Sequence, residues 1–462
     1  MSNQVLIVGA GPSGLFAASE LIRHGVDVRL VEREMQPHHE ARATTIQAGT
    51  LEILDSVGLL TPFLQAAEHV RRACIFASDM TELRVATFDG LDCRYDFECV
   101  LPQYETQRIL EEHLVALGGA VERGVTATKL GPDGGGVAVD LLHADGKVET
   151  IEPAMVIGAG GAHSITRVSM SEHLEGATYQ GHFLVADIAM KSPLPPCEAG
   201  VVCGPAGLLL LAPMPGGRWI TFQDLEEETQ TITPEEIVKR IETRLGGRFR
   251  PTDVAWFSLF RMHRRMVSRM TDGRRFLIGD AAHLSSAFGG EGLNSGLHDG
   301  HDLAWKLALV LHGRAAQSLL QHYAVERTIA DRHVLDVSDQ VHSGIVGIAD
   351  YQDGRAGAAS GAAAEPHPGQ RYPDWTHFGG TSHHLLVFGP IADADGLSRL
   401  GQCWSTSVEI SRDPNVKPAR AGVPAGGMVL IRPDGHIGFR SPSADAAALA
   451  ALDRHLSSYL IQ

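Results

Sequence analysis

The chain has 462 residues, 44% apolar and 20% charged, the balance of an ordinary globular protein at a length that predicts two or three domains. Its 39 Lys and Arg face 55 Asp and Glu, a net charge of −16, and with no clustered basic run to offset it this excludes a nucleic-acid backbone as partner. The six cysteines, Cys74, Cys93, Cys99, Cys197, Cys203 and Cys403, include no CxxC, which excludes a zinc or dithiol redox site, predicts no metal, and reads as the reduced thiols of a cytoplasmic protein.

The first elements lie in residues 5–33, VLIVGAGPSGLFAASELIRHGVDVRLVER. The apolar run 5–8 predicts a strand and Gly9-Ala10-Gly11-Pro12-Ser13-Gly14 a tight turn. The amphipathic stretch to residue 24 predicts a helix, and the alternating run 26–31 a second strand ending on Glu32. In that setting GxGxxG predicts a dinucleotide site. Gly9 permits the turn, Gly11 admits a pyrophosphate to the backbone, Gly14 lets helix and strand pack, and the helix N-terminus faces the phosphates. Glu32 is placed to accept from ribose hydroxyls. The spacing does not specify which dinucleotide. The apolar stretch has no basic region ahead of it and is broken by the glycine turn, so a signal peptide is not expected. No uninterrupted apolar run elsewhere approaches the ~20 residues of a membrane span.

A loop follows at 35–42, then a short helix over 44–54 closed by Gly58. Arg42 is either placed to reach a cofactor pyrophosphate or is a solvated loop arginine. Residues 72–95 predict sheet outside the nucleotide core. Residues 101–114 begin a helix with Ile109, Leu110 and Leu114 on one face, and 121–129 and 137–142 return to strand around a turn at 133–136. A buried strand in 155–164 enters a second glycine turn, whose spacing fails GxGxxG because His163 holds the last glycine's place. Runs 182–190, 207–213 and 218–222, separated by Pro and Gly turns, predict a mostly antiparallel sheet. A helix over 233–245 takes Thr233 as N-cap and Pro234 at its first position.

The third signal is RFLIGDAAH at 275–283, a strand ending on Gly-Asp, followed by FGGEGLNSG at 288–296 and an amphipathic helix through Leu311. Asp280 is placed for a ligand hydroxyl or caps a turn, and the glycine loop aims free amides at an anion. Residues 344–372, rich in Ala, Gly and Pro, predict an exposed connector. Beyond it 385–388, 403–410, 428–432 and 437–439 predict strands and 445–460 a helix, enough for a small α/β domain. Phe222 and Phe288 are candidates to contact an aromatic ring, with core packing as the other reading of each.

With GAGPSG and Glu32, LPQYETQRILEEHL, GAGGAHS, GDAAH with GGEGLN, and a tail carrying HPGQRYP and LIRPDGHIGFR, the chain resembles the single-component FAD-dependent aromatic hydroxylases. That group includes para-hydroxybenzoate hydroxylase, phenol hydroxylase and the aromatic polyketide hydroxylases, and the likeness covers nearly the whole chain. The resemblance implies an α/β fold in which a Rossmann-like FAD-binding domain (1–72, 97–165 and 271–345) is interleaved with a β-sheet substrate domain (73–96 and 166–270). A linker (346–372) and a thioredoxin-like C-terminal domain without redox cysteines (373–462) complete it. It implies FAD held through Gly9, Gly11, Gly14, Glu32, Arg33, Arg42, Gln103 and Asp280, with Gly292, Leu293 and Asn294 beside the isoalloxazine. NADPH or NADH would reduce the flavin, and O2 would then give a flavin hydroperoxide that oxygenates a phenolic or polycyclic aromatic substrate, the flavin carrying the chemistry. A homodimer is left open.

Two departures from the family pattern stand out, with one further unusual charge. Gly160 replaces an Asp tied to flavin and NAD(P)H binding. Ser286-Ala287 replace a proline pair, which predicts a more mobile loop. Glu291 adds a charge close to the flavin. Epoxidation, Baeyer–Villiger insertion, reduction without oxygen insertion, and a degenerate flavin-binding protein stand as alternatives, because fold does not fix function.

Overall fold

The structure, a computed structural model, describes residues 4–37, 43–89, 93–133, 136–179, 181–191, 194, 198–204, 207–225, 231–287, 290–350, 380–389, 391–411 and 422–461. Its organising layer is a parallel sheet in the order Arg275–Leu277, Met155–Gly158, Val5–Val8, Val28–Glu32, Val121–Arg123. The Val5–Val8 strand is central and apolar because both faces are covered, as parallel sheets require. Helix α1 (Pro12–Arg23) packs on it through Leu15, Phe16 and Leu21, each fully buried.

After α1 come α2 (Ala48–Ser56), α3 (Leu60–Ala66), α4 (Gln103–Ala116) and α5 (Ile165–Ser169), then α6 (Pro234–Arg244), α7 (Glu291–Leu311), α8 (Leu319–Asp350), α9 (Ala394–Cys403) and α10 (Ala446–Ser457). A seven-stranded sheet stands apart in the order Asp253–Phe260, His182–Ala189, Arg218–Leu225, Gly207–Met214, Glu198–Gly204, Arg72–Ala77, Glu82–Thr87. It is antiparallel except where Glu198–Gly204 meets Arg72–Ala77. Helix α6 covers one face, its start fixed by a capping box in which Thr233 and Glu236 each bond the other's backbone N–H, with Pro234 at the first position. A short sheet of Thr45–Ile46, Glu98–Val100 and Glu68–Val70 lies between the two.

Several sequence expectations need correction. The predicted helix over 44–54 begins only at Ala48, because the β-branched pair Thr45–Ile46 is taken as a strand by Cys99 and Val100. The run 121–129 is two strands in two sheets, divided by Gly124 at φ 70°. Helix α8 continues to Asp350, into the stretch read as connector, and 351–379 lie outside the described residues. Residues 403–407 are not strand. Cys403 ends α9, a helix whose N-cap Asp393 accepts from Gly396 N at 2.8 Å, and the strand is Val408–Ser411.

In the C-terminal part Val408–Ser411 pairs parallel with His383–Val387, which pairs antiparallel with Met428–Ile431, and that in turn with Ile437–Ser441. Its core includes Trp404, Leu430, Leu452 and Leu456, and it is continuous with Trp305, Leu309 and Leu319 of α7 and α8.

Candidate flavin site

Three glycines at the first turn carry three different constraints. Gly9 sits at φ 110°, and a Cβ there would lie 2.5 Å from Ala159 O of the second glycine turn. At Gly14 a Cβ would lie 2.0 Å from Gly9 O. At Gly11 a Cβ would meet nothing within 4 Å and would project into an open cavity that this residue lines. Gly11 is also the N-cap of α1 and offers no side-chain cap, so the first helical amides stay available to an anion.

The Ala10 peptide is held from both sides. Glu32 accepts from Ala10 N at 2.8 Å and from Glu34 N at 3.0 Å, while Gln107 Nε2 donates to Ala10 O at 3.0 Å. Sequence reading missed Gln107, although its position one turn after Gln103 on α4 was a legible signal. Gln103 Oε1 accepts from Ala43 N at 3.2 Å, closing the wall where the chain returns from the loop after Glu34.

The facing wall is the end of the Arg275–Leu277 strand, the tight turn at Gly279 to Ala281, and the start of α7. Gly279 and Gly296 both pack on Ser13, and Gly300 packs on Ala17. These small residues bring α1 and α7 into close crossing, and both N-termini open on the same cavity. Gly290, left-handed at φ 65°, ends the loop without a side-chain cap. Asn294, 2% exposed, accepts from Gln47 N at 3.0 Å and donates to Thr45 O at 3.0 Å and Gly290 O at 2.7 Å. It fastens the head of α7 to the small sheet.

The cavity has a volume of about 1270 Å³. Of the sequence-predicted residues it brings together Gly9, Gly11, Glu32, Arg33, Gln103, Asp280, Gly292 and Leu293, and Phe222 lines the same space from the seven-stranded sheet. Gly14 and Asn294 stand behind the wall as packing and fastening residues. Arg42 and Phe288 lie outside the described residues. The bare Cα of Gly11 between two uncapped helix ends, with a carboxylate at the strand tip, fits a dinucleotide.

Behind the Asp280 turn is a buried ionic group. Asp299 accepts from Gly279 N at 2.9 Å, from His283 Nε2 at 2.8 Å and from Arg327 Nε at 2.7 Å, and Arg327 also reaches Asp331 at 2.6 Å. Burial opposes the charge on His283, but Asp331 and Asp299 outweigh it and raise its pKa to about 9. The imidazolium is thus part of what orients the turn.

Two of the unusual positions can be read directly. Gly160 has an ordinary φ of −78°, and a Cβ there would come no closer than 3.6 Å to any neighbour, so packing does not require glycine. Ser286 is 1% exposed, its Oγ 3.1 Å from His342 Nδ1 of α8, and Ala287 N donates to Met262 Sδ at 3.4 Å. Side-chain contacts at Ser286 and Ala287 stand where relatives have the ring-fixed φ angles of a proline pair.

Comparison with known proteins agrees with this geometry. A family model described as "FAD binding domain" matches residues 2–338. The 6-methylpretetramide 4-monooxygenase of Streptomyces rimosus is 30% identical, the alignment covering 97% of this chain and 92% of that protein. The pentachlorophenol 4-monooxygenase of Sphingobium chlorophenolicum is 30% identical over 74% of this chain and 65% of its own length. The solved structure of aklavinone-11 hydroxylase in complex with FAD and aklavinone superposes with a TM-score of 0.85 at 24% identity, covering 98% of each chain, which shows the shared fold. With a matched region that runs from the first strand through the head of α7 and into α8, the chain belongs to the FAD binding domain family and is an FAD-dependent aromatic monooxygenase.

Proposed function

We infer that the enzyme uses NAD(P)H and O2 to hydroxylate a phenolic or polycyclic aromatic substrate. The observation that supports this best is the single cavity into which α1, α7, Glu32 and the Phe222 face of the seven-stranded sheet all open. Gly11 and the amides of α1 would receive the pyrophosphate, with Arg42 gripping it as a charged, bidentate donor. Glu32 would take ribose hydroxyls, and Gln103 and Asp280 would flank the remaining chain. Gly292 and Leu293, at the head of α7, would lie beside the ring system, where the helix N-terminus favours negative charge by ~0.3–1 kcal/mol, or ~2 when buried.

When bound, FAD supplies acceptance of a hydride and activation of O2. The protein's part is to hold both ring systems and exclude water. Apolar walls including Val70, Ala212, Ile220 and Phe222 serve the second purpose. Polycyclic substrates suit the space, which exceeds the ~300–1,000 Å³ of a single small-molecule pocket and so accommodates cofactor and substrate together. The 6-methylpretetramide-acting relative argues the same way.

On this reading 1–72, 97–165 and 271–345 act as the FAD-binding part, and 73–96 with 166–270 as the substrate part. The βαβ–ββα order of the C-terminal sheet and helices supports a thioredoxin-like unit. The scattered cysteines form no disulfide among the described residues, which supports a cytoplasmic location. No helix among the described residues is long and apolar enough to cross a membrane.

The test is direct. The purified full-length protein should be yellow or become so with FAD, should consume NAD(P)H and O2 faster with its aromatic substrate, and should give product heavier by one oxygen. A protein that cannot be reconstituted with FAD overturns the reading.

A further inference from the structure

One wall of the cavity carries chemistry that the cofactor site does not use. Glu98, on the Glu98–Val100 strand, and Glu291, the first residue of α7, both line the cavity. They are brought together by Asn294, which ties Gln47 and Thr45 to the head of α7, while Thr45–Ile46 pairs with Cys99 and Val100. Glu291 is bonded by Gln47. Glu98 is half-buried and lines the cavity, and among the described residues no group donates a hydrogen bond to its carboxyl.

Burial, then the neighbouring Glu291, pushes the Glu98 carboxyl up to about 7. The groups facing the pair are few: the Cys99 thiol beside Glu98, and the Gln47 amide and His333 imidazole beside Glu291. A cavity-facing carboxyl with no protein donor is short of hydrogen-bond donors, and leaving it so is costly.

We propose that Glu98 receives a hydroxyl group of the substrate, accepting its hydrogen bond and, as the ring is oxygenated, its proton. The substrate is accordingly a neutral phenol, and an aromatic carboxylic acid is refused by the Glu98–Glu291 wall. In the proton step the substrate O–H bond breaks, an O–H bond forms on the Glu98 carboxylate, and the electron pair left on oxygen enriches the ring. No oxidant or reductant takes part in it. A carboxyl that titrates near neutrality is matched to such a task.

This rests on the monooxygenase reading, and the test separates the two. Wild type, Glu98→Gln and Glu98→Asp, each full-length and loaded with FAD, are titrated calorimetrically with 2-naphthol, 2-methoxynaphthalene and 2-naphthoate, and flavin content is read from visible absorbance. Wild type should prefer the naphthol over its methyl ether by ~10-fold or more, the worth of a hydrogen bond to a charged group, and bind the naphthoate least. That preference should grow as pH rises through 7. Glu98→Gln should keep its flavin, lose the pH dependence and most of the preference, and accept the naphthoate better than wild type does. Glu98→Asp should restore part of the preference. Wild type without a preference for the phenol, or Glu98→Gln with the wild-type preference and pH dependence, overturns the proposal, whereas loss of flavin from wild type overturns the monooxygenase reading instead.

Discussion

Gly11 and Gly14 look equivalent in the sequence and carry opposite loads. Gly14 is required by the fold, since a Cβ would press on the Gly9 carbonyl at 2.0 Å, whereas Gly11 is required by nothing in the protein. Gly11→Ala should therefore leave the apoprotein intact or stabilise it by ~0.4–1 kcal/mol through the unfolded chain, while weakening FAD by ~10-fold or more. Gly14→Ala should lower the thermal midpoint by overpacking worth ~1–3 kcal/mol. Paired melting curves and FAD titrations check both, and an FAD affinity unchanged in Gly11→Ala would remove the pyrophosphate from this turn. His283 shows a residue whose weight the sequence did not reveal. Its partners Asp299, Asp331 and Arg327 lie 16 to 48 residues further along the chain, so nothing local announces the group. Its pKa of about 9 in the fold lies above the ~6.5 of an unfolded histidine. The stability it contributes is thus complete below pH 6.5 and is lost as pH rises through 9. His283→Asn should cost ~3–5 kcal/mol by leaving buried carboxylates under-compensated and should flatten that alkaline decline in denaturant titrations.

Between elements, what the sequence showed and what it hid divide along one physical line. Elements with a local start signal were legible: Thr233-Pro234 opened α6 where the side chains predicted, and the glycine turn opened α1. Elements defined by their partners were not. The Asp253–Phe260 strand exists because His182–Ala189 offers it an edge, and Thr45–Ile46 is strand because Cys99–Val100 pairs with it. The same line runs through the site. Gly9, Gly11, Glu32 and Asp280 were readable from motif spacing, while Gln107 and Glu98 enter the cavity only through the register of α4 and the small sheet. Asn294 is the junction of that sheet with α7. Asn294→Ala removes three hydrogen bonds and leaves Gln47 N and Thr45 O without their partner, a cost of ~1–3 kcal/mol for each group left buried and unpaired. Because it also frees the head of α7, FAD affinity should fall with stability, unlike in Gly11→Ala. Amide exchange at Gln47 should accelerate in the variant, and a variant with unaltered exchange there would show that the small sheet holds its place without α7.

At the scale of the whole molecule, α7 is the shared part: its head meets the cavity and its tail carries the C-terminal sheet. At 21 residues it spans ~31 Å, so the two ends act on different things. The C-terminal junction is ionic at its centre. Arg432 donates to Glu326 Oε1 at 2.7 Å and Oε2 at 3.0 Å and to Asp434 Oδ2 at 2.6 Å, and Asp434 accepts from Trp305 Nε1 at 3.1 Å. Lys306 bridges Asp302 and Glu326 from the helix side at 2.6 and 2.7 Å. Burial works against the charge on Glu326, but Arg432 and Lys306 prevail and hold its carboxyl down to about 2. Its contribution is therefore complete above the ~4.3 of an unfolded glutamate and is lost as pH falls from there through 2. Arg432→Met keeps the length of the side chain and removes the charge, leaving Asp302 and Glu326 to Lys306, and Asp434 to Trp305 and His436. Breaking a buried ionic group in this way costs ~3–5 kcal/mol, concentrated at the junction. The variant should melt at a lower temperature with an early change in tryptophan fluorescence, because Trp305 lies in the junction, and the acid decline contributed by Glu326 should flatten, because a cation that holds its carboxyl down is gone. FAD affinity should stay within about threefold of wild type, a change of ~0.7 kcal/mol or less, since the head of α7 is held by Asn294, Ser13 and Gly279 rather than by the C-terminal sheet. A parallel loss of FAD in Arg432→Met would show instead that the C-terminal sheet sets the position of α7 along its whole length.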